Sequence, residues 1–207
     1  MKILLATHNP SKLKRYQSLW SDFKDLDLVS LSDLGIEKKV AEPYNEVLDN
    51  AIIKAKEYAS LSQLPVLAID EALKTNFLPD SEQPGAFVRR FSGDKKELSD
   101  LEILETWKKI FQAYPNIDYR FIWTFALAYY HPQQEKLKTT LALPVYKVQI
   151  PFSKKIDPGY PMSSFMVPLD YDRPYVDLSP AERLAVDRKN LASFTNLLKS
   201  ILGYADF

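Results

Sequence analysis

Ile3-Leu4-Leu5-Ala6-Thr7-His8-Asn9-Pro10-Ser11-Lys12-Leu13 opens on four apolar residues and turns polar at once. Four is too few for a membrane span or the core of a signal peptide, and it suits a buried strand. Ser11 is placed to cap a helix, and Leu13, Tyr16, Leu19 and Trp20 then recur at helical spacing. The stretch reads as strand, short polar turn, helix. A helix N-terminus after a buried strand offers free backbone N–H groups and a partial positive charge to a phosphate. Lys12 adds a full charge, and Asn9 an amide that can hydrogen-bond a base, sugar or phosphate. The stretch is not a Walker loop, which needs glycines and Lys followed by Ser or Thr. A capped helix carrying a solvated lysine is the alternative reading of the same residues.

Working outward, Leu26 to Leu31 predicts a second strand. The segment Glu46 to Leu61 predicts a helix, with Val47, Ala51, Ile52, Ala55 and Tyr58 on one face. Pro65 to Ile69 predicts a third, buried strand, and the chain is expected to be irregular after Leu73 through Pro79 and Pro84-Gly85. A helix is expected from about Asp94 to Ala113, with Leu98, Leu101, Leu104, Trp107 and Phe111 inside. Tyr119 to Tyr130 and Leu137 to Ile150 read as long strands joined by a hairpin at His131-Pro132-Gln133-Gln134. After a Pro-rich stretch from Pro151 to Pro174, Ser179-Pro180-Ala181-Glu182 opens a last helix with a capping-box pattern, continuing to about Leu202. Early strand and helix alternation followed by a hairpin implies an α/β fold with a mixed central sheet flanked by helices. It is expected as one domain over 1–207, elongated and two-lobed, with a cleft between the lobes.

Carboxylates supply the second candidate site. In Ala68-Ile69-Asp70-Glu71-Ala72, two adjacent acids follow an apolar run, where they are expected at the end of a central strand. Acids there can hold Mg²⁺ or take a proton from water, although turns are also polar for purely structural reasons. Glu42, before Pro43, and Glu46, opening a helix, are further oxygen donors, and a Glu near a helix start also serves the dipole. Arg89-Arg90 and Lys95-Lys96 flank Ser92-Gly93 as a second cationic segment. Two histidines, His8 and His131, are too few and too far apart in sequence for a metal cluster.

Composition narrows the partners. Lys plus Arg and Asp plus Glu number 27 each, so no net field draws the chain to a nucleic-acid polymer or an anionic membrane. With no cysteine there is no disulfide framework, thiolate zinc site or thiol nucleophile, which is compatible with the cytoplasm expected for this chain. Only 5 glycines stand against 14 prolines, few for a phosphate-handling protein.

Taken in order, these segments resemble the inosine-triphosphate, or non-canonical purine NTP, pyrophosphatase family along almost the whole chain. The opening stretch is similar to the family's strand leading into Ala-Thr-x-Asn-x-x-Lys. Asp49-Asn50-Ala51-Ile52-Ile53-Lys54-Ala55 resembles its Glu-Asn-Ala-x-x-Lys-Ala helix. Leu64 to Leu73 stands where the family has Leu-Pro-x-x-Ala-Asp-Asp-Ser-Gly-Leu. Pro84-Gly85 with Arg90-Phe91-Ser92-Gly93 is similar to its Pro-Gly-x-x-Ser-Ala-Arg-Tyr segment.

The resemblance implies Mg²⁺-dependent hydrolysis of a nucleoside triphosphate to monophosphate and pyrophosphate by a homodimer. Carried over by position, Thr7, Asn9 and Lys12 hold the triphosphate and Lys54 lies near the phosphates. Glu42 and Asp70 bind metal, and Asp70 orients or deprotonates the attacking water, with Lys12 and Glu71 completing the catalytic set. Departures concentrate at the ligand. Ile69 replaces the first of two aspartates and Glu71 adds an acid one place later; Ala72 and Pro161 replace glycines. Gly159-Tyr160-Pro161-Met162 stands for the base-stacking loop, with Tyr160 as the stacking ring. Asp187-Arg188-Lys189 aligns with the Ser-His-Arg triplet that reads the base, preceded by Arg183 in place of a lysine, so Arg183, Arg188 and Lys189 are the substrate-binding cations there. Arg15 stands where the family carries glutamate. These changes leave a second expectation open, a catalytically inactive nucleotide-binding or interaction protein on the same fold.

Overall fold

The computed structural model describes residues 1–90 and 97–204. Phe91, Ser92, Gly93, Lys95 and Lys96, and the expected start of a helix at Asp94, lie outside the described residues. The strands are β1 (Lys2–Leu5), β2 (Asp27–Ser30), β3 (Val66–Thr75), β4 (Arg120–His131), β5 (Lys136–Ala142), β6 (Val145–Val148) and β7 (Met166–Pro168). The helices are α1 (Pro10–Leu19), α2 (Val47–Ser62), α3 (Asp100–Ala113), α4 (Pro180–Asn190) and α5 (Ala192–Leu202). The strands form one mixed sheet in the order β2-β1-β3-β4-β6-β7, with β5 pairing β4. The α/β class with a mixed central sheet flanked by helices is therefore as expected.

The chain divides into two compact units. The first comprises Met1–Glu71, Thr124–Ala142 and Asp187–Phe207. Here β1 pairs in parallel with β2, Ile3 opposite Leu28, and with β3, Leu4 opposite Val66. Ile3, Leu4, Val66 and Leu67 are fully buried, which is why these strands read as continuous apolar runs. The chain runs from β1 through α1 to β2, then through α2 to β3 on the other side of β1. Right-handed crossovers in those opposite directions place α1 and α2 on opposite faces of the sheet. Tyr16 of α1 packs on Trp20, with ring centroids 5.2 Å apart, and on Phe194 of α5 at 6.4 Å.

The second unit comprises Ala72–Trp123 and Leu143–Val186. Arg120 to Ile122 of β4 pair antiparallel with β6, and β6 with β7. Its core is aromatic: Trp107 lies 4.6 Å from Phe121 and 5.7 Å from Phe111, and Phe165 lies 5.7 Å from both Phe111 and Phe121, centroid to centroid.

Several local expectations are corrected. Asn9, not Ser11, caps α1: its side chain accepts from the Ser11 and Lys12 amides, with Pro10 as the first helical residue. Asn9 outcompetes Ser11 because Pro10, lacking an N–H, belongs inside the first turn. β3 does not end at Ile69 but continues through the acid pair to Thr75. The expected strand from Leu137 to Ile150 is two strands, broken at Leu143-Pro144, where proline cannot donate to a ladder. The last helix is likewise two, meeting at Leu191. Its capping box is present, with Ser179 N donating to Glu182 Oε2 at 2.8 Å and Glu182 N to Ser179 Oγ at 3.3 Å. α3 starts after Ser99, which forms a capping box with Glu102, so Leu98 precedes the helix. Leu101 is 66% exposed, whereas Ile103, which was not assigned to the inner face, is buried.

Candidate functional site

Asp70 and Glu71 sit side by side in a continuous strand, and successive side chains of a strand point to opposite faces. Each acid accordingly meets a different helix. Asp70 faces α2: Lys54 Nζ lies 2.9 Å from its Oδ1, and Asn50 Nδ2 donates to its Oδ2 at 3.1 Å. Glu71 faces α1, with Lys12 Nζ 2.9 Å from Oε1 in an ion pair that is not an aligned hydrogen bond. Asp70 and Glu71 are therefore not two arms of one chelate. Position 69, two residues before Glu71, shares its strand face, so the acid gained at 71 lies on the face where the family resemblance has lost one.

Asn50 and Lys54 reach the same carboxylate because residues four apart lie on one face of a helix. Lys54, 8% exposed, also donates to the Ile69 carbonyl at 2.7 Å and pairs with Glu42 Oε1 at 2.9 Å. Glu42 comes from the loop before α2. That loop is pinned by Asn50, which donates to the Tyr44 carbonyl at 2.8 Å and accepts from the Tyr44 amide at 3.0 Å. Two carboxylates thus share one buried ammonium. Burial pushes the Asp70 carboxyl above the ordinary carboxylate value; Lys54 and Asn50 pull it down, and the Glu42 charge pushes it up. The result is a carboxylate more basic than an exposed one.

At the start of α1, the expected free amides are not open. Asn9 Oδ1 accepts from Ser11 N at 2.9 Å and Lys12 N at 3.3 Å, while Thr7 Oγ1 accepts from Asn9 N at 3.1 Å. Thr7 and Asn9 build the turn, and the group presented beside it is the Lys12 ammonium. In the first unit, then, the fold gathers Thr7, Asn9, Lys12, Glu42, Lys54, Asp70 and Glu71 about the turn that follows β1 and the middle of β3, on its two faces.

The residues assigned to the base end are placed differently. Asp187 is 4% exposed and is held by both nitrogens of a fork: Arg15 Nη2 donates to Oδ1 at 2.7 Å and Nε to Oδ2 at 3.0 Å. The Arg15 guanidinium also lies 5.5 Å from the centre of the Phe125 ring. Arg188 and Lys189 are exposed, and Arg188 Nη2 donates to Asp22 Oδ2 at 2.6 Å. In the second unit, Arg183 donates to Asp157 Oδ2 at 3.0 Å and to the Leu178 carbonyl at 3.2 Å, and lies over the Tyr175 ring. Tyr160 is half-buried and donates its amide to the Asp157 carbonyl. Arg89 binds Asp100 at 2.8 Å and the Gly159 carbonyl at 2.9 Å, which ties down the loop around Tyr160.

Sequence reasoning gave Asn50 no role, although its spacing of four from Lys54 is the signal that would have found it. Nor did it join Arg15 to Asp187, which are 172 residues apart. Both residues had been noted as departures, and a new cation and a new anion in one chain invite pairing.

No group of three or more His, Cys, Asp or Glu able to hold a metal ion occurs among the described residues. Glu42 and Asp70 nonetheless converge on a single cation, and Mg²⁺ is commonly bound by one or two carboxylates with water filling the remaining positions. Their hard oxygens fit that ion. No helix among the described residues is long and apolar enough to cross a membrane.

A family model described as the Ham1 family matches residues 3–193. The dITP/XTP pyrophosphatase of Escherichia coli (strain K12) is 38% identical over 113 residues, covering 53% of this chain and 54% of that protein. The chain spans about half the length of the curated relatives it matches. Among solved structures, a HAM1 protein from Coxiella burnetii aligns at a TM-score of 0.72 and 22% identity, covering 99% of this chain and 100% of that one. The nucleoside-triphosphatase / dITP/XTP pyrophosphatase from Mycobacterium abscessus aligns at 0.67 and 24%, covering 94% and 97%. Both show a shared fold.

Proposed function

This chain belongs to the Ham1 family, and on that premise we propose that it hydrolyses a nucleoside triphosphate, a non-canonical purine in the first instance, to the monophosphate and pyrophosphate. The observation that carries the reading is the buried set on α2 and β3, where Asp70 is oriented by Lys54 and Asn50 and raised in basicity by burial. The names of relatives such as the Escherichia coli enzyme support the substrate class.

Asp70 orients a water toward the α-phosphorus and takes its proton as the new P–O bond forms. The bond from the α-phosphorus to the bridging oxygen breaks, and pyrophosphate leaves with that electron pair. Lys12 and Lys54 face the negative charge that grows on the phosphate oxygens. Mg²⁺, held by Glu42 and Asp70 when bound, supplies further charge neutralisation. Little covalent work falls to the protein, so positioned charge and a positioned water suffice. Glu71 belongs to the same set through Lys12. The base end differs from the resemblance: Asp187 is engaged by Arg15, and Arg188 by Asp22, which supports a base preference other than inosine or xanthosine. Homodimerisation and a cytoplasmic location form part of the same reading.

The test is pyrophosphate release from a panel of common, deaminated and oxidised nucleoside triphosphates with Mg²⁺. Turnover of at least one, reduced about 100-fold or more in Asp70→Asn, is expected. No release from any member overturns the reading. Thermal stabilisation by nucleotide without turnover, unchanged in Asp70→Asn, would instead make the chain a nucleotide-binding protein.

A further inference from the structure

We propose that Glu71 is a built-in competitor for the phosphate at Lys12: its carboxylate occupies the ammonium that an incoming polyphosphate must engage, and so weakens binding of the bare anion. The inference rests on the reading of Lys12 as a phosphate-binding group.

At the start of α1 the usual anion-attracting groups are already satisfied. Pro10 has no N–H, and the Ser11 and Lys12 amides are taken by Asn9 Oδ1. Attraction for an anion at this turn therefore resides in the Lys12 side chain. Lys12 Nζ lies 2.9 Å from Glu71 Oε1, with side-chain exposures of 24% and 13%. Glu71 Oε1 is buried and accepts no hydrogen bond among the described residues, so the lysine is the counter-charge beside it. A phosphate oxygen bonded to Lys12 must come within roughly 2.9 Å of the same nitrogen. That brings two anions together in a partly dry setting, where like charges repel strongly. An ammonium has three donors and can serve two anions, as Lys54 does, so Glu71 does not bar the phosphate; it leaves the phosphate a Lys12 charge already partly neutralised and a like charge nearby.

The strand geometry keeps Glu71 apart from the side chains that hold Asp70. Glu71 points to the α1 face of β3 and Asp70 to the α2 face, where Asp70 keeps Lys54 and Asn50 as partners. Neutralising Glu71 should therefore free Lys12 without disturbing the Asp70 set. A serine or glutamine at 71 would hold no charge on Lys12. The glutamate lowers the affinity of this end of the site for a polyphosphate, free or carried by a nucleotide.

The experiment is isothermal titration calorimetry with inorganic tripolyphosphate in EDTA. It uses the full chain, Glu71→Gln, Glu71→Ser, Lys12→Met and the Lys12→Met/Glu71→Gln double variant, each checked for native circular dichroism. Expected is binding about tenfold tighter in Glu71→Gln, equivalent to ~1.4 kcal/mol, with a like gain in Glu71→Ser and none in the Lys12→Met background. Unchanged or weaker binding in both Glu71 variants, with Lys12→Met weakened, overturns the competition while leaving Lys12 a phosphate group. A gain that persists without Lys12 overturns it as well, as a general charge effect. No binding by any of the five proteins overturns both the competition and the assignment of Lys12; the pyrophosphate-release assay then judges the hydrolase reading on its own.

Discussion

Lys54→Met puts the buried ion-pair set to a quantitative test. Lys54 is 8% exposed, and its ammonium lies 2.9 Å from both Asp70 Oδ1 and Glu42 Oε1. Removing one partner of a buried pair leaves an uncompensated charge and costs about 3–5 kcal/mol. Asp70 has an escape, because it can take up a proton. Neutralising a carboxyl of ordinary value 3.8 at pH 7 costs ~1.4 kcal/mol per pH unit, so the penalty is capped at ~4 kcal/mol, inside the same range. The sign follows from linkage. The folded Asp70 value already lies above 3.8, pushed by burial, and losing Lys54 raises it further. Between the unfolded and folded values the native state binds more protons than the unfolded state. Stability therefore falls as pH rises through that window, and the deficit closes toward its lower end. Urea denaturation of the metal-free protein from pH 5 to 8 reads this directly. The gap between wild type and Lys54→Met should widen with pH by up to ~1.4 kcal/mol per unit, and Asp70→Asn in the same background should remove the slope. A loss under ~1 kcal/mol that is flat across the range would refute the account of Lys54 as Asp70's counter-charge.

Other expectations are independent of turnover. Arg15→Met, which takes the bidentate guanidinium from an Asp187 side chain 6% exposed, should cost about 3 kcal/mol in chemical denaturation, while Arg15→Met with Asp187→Leu should recover most of it; equal losses in the single and double variants would show that the pair is not coupled. Asn9→Ala should lower stability by ~1 kcal/mol through loss of the α1 cap, and Asn9→Asp, which keeps the acceptor, should not, as read by thermal melting. Trp107→Ala, at a side chain with no exposure in the aromatic core of the second unit, should cost about 3–5 kcal/mol.

The elements legible in the sequence were those whose signal is local. β1, α1, β2 and α2 follow from apolar runs and helical spacing, and the capping box at Ser179 and Glu182 formed as its pattern says. What failed was decided by competition between adjacent residues or by tertiary pairing. Asn9 and Ser11 are both good caps, and the proline between them selected the first. β3 outran its apolar run because Asp70 and Glu71 each found a lysine on a facing helix, which let two charges remain inside a strand. Leu143-Pro144 breaks a strand that alternation alone would carry to Ile150, since proline cannot join the ladder.

The opening stretch from Ile3 to Leu13 shows the same division at the site itself. By itself the sequence determined that a buried strand enters a helix there, with a lysine in its first turn, because those features depend on spacing along one short segment. The cap on the helix amides is local too, set by Asn9 and Pro10, but only the tertiary structure decided that Lys12 is held by Glu71. It also decided that Lys54 stands between Glu42 and Asp70, and that Arg15 has claimed Asp187. These are contacts between residues far apart in the chain. Their partners are chosen by which face of β3 a side chain leaves and which helix covers that face, and no local pattern records that.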